Sequence, residues 1–153
     1  VHDPYIEQTP GVNYQGLEEV IRHSDVVSFH VPLTTETRHM INATTLDWFE
    51  DHATLVNAAR GELFNYNELI SHLQDHPQFT LATDVYPSEP LPKSSLLLKM
   101  SNVIYSPHVG ATTVEALQRA SQFAVEKLSA FIQEKRVSDA LPPDTAWAPK
   151  LVR

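Results

Sequence analysis

The sequence predicts an α/β chain built on a doubly wound parallel sheet, and three observations carry that prediction. Short β-branched apolar runs alternate with stretches of helical period; each run ends in polar or turn-forming residues; and the runs are nearly continuous in apolar character, as in strands buried on both faces. The strand runs are VVSFHVP (26 to 32), ATLVNAA (53 to 59), FTLATDV (79 to 85) and NVIYSPH (102 to 108). Between them, helices are expected over 16 to 24, 43 to 52, 65 to 75 and from Thr112 to about Lys135. In the last helix Ala116, Ala120, Phe123, Ala124, Leu128 and Phe131 recur on one face, which reads as core packing. Residues 136 to 153 hold Pro142, Pro143 and Pro149 without periodicity, so an extended tail is expected after a single domain over 1 to 135.

Composition narrows the partners. The 153 residues, 42% hydrophobic and 20% charged, suit one soluble domain with a substantial core. A formal net charge of −8 argues against nucleic acid or an anionic membrane as partner, since both require clustered Lys and Arg. With no Cys there is no disulfide framework, thiolate metal site or cysteine nucleophile, and a reducing cytoplasm is compatible. No apolar run approaches the roughly 20 residues of a membrane span, and VHDPYIEQTP has no basic-then-apolar leader pattern. The expectation is a soluble, cytoplasmic protein.

In a parallel sheet with crossover helices, ligands sit beyond the carboxyl ends of the strands. The polar residues there are Asp3, His30, Asn57 with Arg60, Asp84 with Glu89, and His108, so five strand ends are expected to converge. His108 follows Pro107 and precedes Gly110 and a helix start, a position suited to an anionic or carbonyl-bearing ligand. Glu89 in DVYPSEPLP is either a solvated acid or the partner of a histidine, whose proton it would help hold ready near neutral pH. Arg60 in NAARGEL is either a surface ion-pair residue or a bidentate carboxylate grip, with Gly61 giving room for close approach. His72 and His76 share a helix face, but Pro77 follows and no HExxH pattern is present, so a metal site is not expected.

Taken together and in order, VHDPY, HVPLTTETRHMI, LVNAARGEL, ATDVYPSEP and SPHVGATT resemble the D-isomer-specific 2-hydroxyacid dehydrogenase family, over about residues 1 to 135. The resemblance implies a Rossmann-like NAD-binding domain and hydride transfer between NAD and a 2-hydroxy or 2-keto acid. It implies that Arg60 binds the substrate carboxylate and carbonyl oxygen, that His108 is the acid/base, and that Glu89 orients and tunes it. It gives Asp3 to the adenosine ribose, His30, Val31 and Pro32 to the adenine side, and Thr37 to a further cofactor contact. Asn57, Ala58 and Ala59 fall beside the nicotinamide ribose, Asp84 at the nicotinamide carboxamide, and Gly110 just after the catalytic histidine. An anionic Asp3 would repel a 2′-phosphate, which favours NAD over NADP. The related formate dehydrogenases carry an amide where Glu89 stands, which argues against formate.

The family's cofactor domain opens with a strand and a G-x-G-x-x-G turn, and the four glycines here, Gly11, Gly16, Gly61 and Gly110, form no such cluster. The sheet is therefore expected to be incomplete, lacking its first strand and phosphate cradle, and the chain is expected to be a fragment, inactive alone and weak in holding NAD. A homodimer is implied by the family for the full-length protein. Two other readings stay open: an NAD-sensing corepressor-like binding module, and a catalytically inactive remnant.

Overall fold

The computed structural model describes residues 1–6 and 9–135; the tail expected over 136–153 lies outside the described residues. Four strands form: β1 (Val26–Phe29), β2 (Thr54–Asn57), β3 (Thr80–Thr83) and β4 (Val103–Tyr105). All pair in parallel, in the order β1-β2-β3-β4. The helices are α1 (Leu17–Arg22), α2 (Ala43–Leu46), α3 (Tyr66–Asp75) and α4 (Val114–Glu134). The architecture is the expected parallel α/β sheet of Rossmann-like type. Because each strand is laid down beside its predecessor, successive right-handed crossovers fall on one face.

That face holds the core. Val27, Phe29, Leu55 and Leu81 point into one cluster with Ile21 of α1, Leu46 of α2, and Leu69 and Leu73 of α3. Phe29 meets Phe64 edge-on at 6.1 Å, and Phe49 meets Phe79 at 5.4 Å, both favoured aromatic geometries. The opposite face differs from expectation. Burial alternates along β1, β2 and β3, and Val26 and Ile104 are exposed, so the strands are not buried on both faces by the described residues. Nor does α4 supply the missing cover: none of its residues is buried, and Phe123 and Phe131 lie exposed rather than in the core. Their rings are met instead by Lys127 and Lys135, whose Nζ atoms sit 4.8 and 5.8 Å from the ring centroids.

The elements are shorter than the expected spans, most of all the second helix, and the strand end expected at Asp3 is absent. The helix expected over 43–52 stops at Leu46, because the next amides bond three residues back (Trp48 to Thr45, Phe49 to Leu46) and tighten the chain into turns. Its start is firm, since Asn42 and Thr45 form a reciprocal capping box. Asp3 does not end a strand. Among the described residues nothing pairs with the free edge of β1, so residues 1–6 have no ladder to join. The carboxylate of Asp3 instead accepts from Tyr5 N at 2.9 Å and closes a local turn.

Candidate active site

The parallel order puts four strand ends on one edge: His30 after β1, Asn57 to Arg60 after β2, Asp84 to Glu89 after β3, and His108 after β4. At β2 the turn is built by Asn57, whose side chain is fully buried. Its Nδ2 donates to Arg60 O at 2.9 Å and its Oδ1 accepts from Ala59 N at 3.0 Å. Both functions of the amide are thus internal to the turn, which leaves Ala58 and Arg60 exposed at its tip. The Arg60 guanidinium donates Nη1 to Ala59 O at 2.6 Å. Directly behind it Gly61 lies against the Tyr86–Pro87 backbone so closely that a Cβ there would overlap it. Arg60 is thereby docked on the loop that carries Glu89.

That loop is pinned from within. Tyr86 is buried, and its hydroxyl lies 2.9 Å from Ser106 O and 3.3 Å from Thr83 O, bridging the ends of β3 and β4. Tyr86 N donates to Glu89 Oε1 at 2.9 Å. Half-buried Asp84 accepts from Ser106 Oγ at 2.5 Å, Val109 N at 3.0 Å and Gly110 N at 2.8 Å. Burial alone would raise the Asp84 carboxyl; the bonds from Ser106, Val109 and Gly110, with His108 nearby, outweigh it and hold the group below its ordinary value.

His108 stands beyond β4 with a left-handed backbone, φ +55. Its Nδ1 lies 2.7 Å from Glu89 Oε2. Glu89 is pulled below the usual carboxylate range, first by its hydrogen bond with His108 and then by the Tyr86 amide. A carboxylate only accepts, so Nδ1 carries the proton of this contact and Nε2 is the ring atom left to act on a ligand. With side chains 48% and 36% exposed, the pair is open to an incoming molecule yet fixed at both Glu89 oxygens.

A sequence profile described as D-isomer specific 2-hydroxyacid dehydrogenase, NAD binding domain, matches residues 1–110. The chain belongs to this family. Among curated relatives, the glyoxylate reductase of Aeropyrum pernix is 38% identical over 130 residues, 85% of this chain and 39% of that protein. The chain thus spans about two fifths of the length of the curated relatives it matches. Among solved structures, the TT0316 protein of Thermus thermophilus superposes with TM-score 0.81 at 33% identity, over 90% of this chain and 43% of that one. A glyoxylate reductase from Paecilomyes thermophila gives TM-score 0.82 at 27% identity, over 92% and 44%.

The matched family domain is an NAD-binding domain. The residues at the strand ends fit the reactive end of NAD: a proton-carrying imidazole, a guanidinium and a firm turn stand on neighbouring strands. No G-x-G-x-x-G pattern, the usual pyrophosphate cradle, occurs in the 153 residues. The other positions expected to face the cofactor are less concentrated. His30 is exposed with Nε2 2.8 Å from Ser28 Oγ, Val31 is half-buried and Pro32 exposed. Thr37 donates its hydroxyl to Pro32 O at 2.7 Å and accepts from Thr34 N at 2.8 Å, bracing that loop. Asp3 remains in its own turn. Two residues that sequence reasoning missed are Tyr86 and Ser106. A tyrosine just after a buried strand and a serine two places before His108 were the signals, but neither implies a partner without the fold.

Proposed function

We propose that the protein is an NAD-dependent D-2-hydroxyacid dehydrogenase in which His108 is the acid/base, Glu89 its partner and Arg60 the substrate grip. The observation that carries this reading is the 2.7 Å contact between His108 Nδ1 and Glu89 Oε2 at the carboxyl edge of the sheet. Bound NAD supplies the hydride acceptor or donor. In reduction of a 2-keto acid, protonated His108 gives the Nε2 proton to the carbonyl oxygen, and Glu89 stabilises the charge the ring carries beforehand. In oxidation the same nitrogen takes the hydroxyl proton. Arg60 binds the substrate carboxylate through two N–H donors and so fixes C2 relative to His108. The Asn57 turn and the Gly61 contact keep Arg60 in register with Glu89.

Glyoxylate and hydroxypyruvate, named in its relatives, are the first substrates to try. Asp3, His30, Val31, Pro32 and Thr37 are assigned to the adenosine side of NAD, with Asn57, Ala58, Ala59, Asp84 and Gly110 around the nicotinamide; the order of His30, Asn57 and Asp84 along the carboxyl edge supports this, while Asp3 rests on the family resemblance alone. A cytoplasmic homodimer completes the reading; no helix among the described residues is long and apolar enough to cross a membrane. The test is NADH oxidation by the intact protein against a panel of 2-keto acids, with His108→Ala beside it. Turnover that vanishes in the variant supports the mechanism, and equal turnover overturns it.

A further inference from the structure

We propose that Asp84 is a positioning residue: its carboxylate clamps the Val109 and Gly110 amides and thereby holds His108 in the left-handed backbone that presents its ring to Glu89. Four features support this. His108 has φ +55, a region that side-chain-bearing residues rarely occupy without being held there. The amides of the next two residues converge on one carboxylate, Val109 N on Oδ1 at 3.0 Å and Gly110 N on Oδ2 at 2.8 Å. Two successive N–H groups turned to one anion are what a left-handed residue in this register produces. Asp84 is itself anchored, by Ser106 Oγ from the end of β4 and by its own amide bonded to Asn57 O, which extends the β2–β3 ladder. Gly110 completes the fit, because a Cβ there would stand 3.0 Å from Asp84 Oδ2, tighter than ordinary contact, and the carboxylate would have to shift by a few tenths of an ångström.

The consequence is a division of labour between two carboxylates. Glu89 addresses the imidazole, and Asp84 addresses the backbone that carries it. This differs from a role as acceptor for the nicotinamide carboxamide, which would act on cofactor affinity. The effect on turnover rests on the proposed role of His108, whereas the clamp itself does not.

The experiment compares wild type, Asp84→Asn and Ser106→Ala in the intact, 15N-labelled protein. An Asn keeps the shape but loses the charge, and its NH2 cannot accept from an amide. In Asp84→Asn, hydrogen exchange at the Val109 and Gly110 amides accelerates by about tenfold or more, as loss of a charge-assisted bond requires. The His108 Nδ1–H signal shifts away from its Glu89-bonded position, and kcat falls by about a hundredfold. Ser106→Ala moves the same amides in the same direction by a smaller factor, and serves alone if Asp84→Asn does not fold. Unchanged amide exchange in the variants overturns the clamp, as does a rise in KM for NAD with kcat and the His108 signal unaltered. Freed amides in a protein that reduces no 2-keto acid would uphold the clamp and sink the dehydrogenase reading.

Discussion

Replacing Gly61 by Ala tests whether the Arg60 turn and the Glu89 loop act as one rigid unit. The added methyl would overlap the Tyr86 carbonyl and Pro87 nitrogen, all backbone atoms, so no rotamer change can relieve it. Either the Arg60 turn lifts or the Tyr86–Pro87 segment retreats. The first strains the Asn57 staple, and the second pulls Tyr86 N from Glu89 Oε1. Overpacking costs about 1–3 kcal/mol, and a rigid neighbour places this site near the upper value. For a chain of this size that corresponds to a fall in Tm of roughly 6–12 °C. A displacement on the order of 1 Å between Arg60 and His108 would lower kcat/KM for 2-keto acid reduction by about a hundredfold. Thermal unfolding and steady-state NADH oxidation on purified Gly61→Ala give both quantities. A variant within about 0.5 kcal/mol of wild type, with kcat/KM unchanged, would refute the idea that this contact holds the site together.

Glu89→Gln removes the charge that His108 faces. The variant weakens the 2.7 Å contact with His108 Nδ1, so kcat/KM for reduction falls by about tenfold to a hundredfold; steady-state NADH oxidation checks it. Asn57→Ala strips two internal bonds from a fully buried side chain and is expected to cost about 1–3 kcal/mol in urea denaturation. Acid stability has a marker in His72, lowered by burial first and then by His76, stacked 4.1 Å away, against the opposing pull of Asp47, Asp51 and Asp75. The unfolded chain therefore binds the extra proton first, and stability is lost as pH falls from about 6.5 through the lowered folded value. His72→Gln should flatten that part of the stability–pH curve, whereas the depressed Asp84 and Glu89 act at lower pH.

The sequence by itself determined the alternation of elements, because that signal is local. Runs such as Val26–Phe29 and Thr80–Thr83 are β-branched over a few residues, and α3 and α4 show their period within two or three turns. It also placed the polar residues at strand ends, and so bounded the candidate site. What it could not determine depends on residues far apart in the chain. Glu89 and His108 are 19 positions apart, and only the β3–β4 pairing brings them to 2.7 Å. The left-handed turn at His108, fixed by a carboxylate 24 positions earlier than the residue it serves (108 less 84), has no local signature. Asn57 reads as a polar strand end, yet burial converts it into the staple of the Arg60 turn. The stripe on α4 reads as core, yet burial needs a second surface, and none of the described residues provides one. Local pattern fixes which face is apolar; tertiary contact alone decides what that face meets, and therefore which polar groups are left to react.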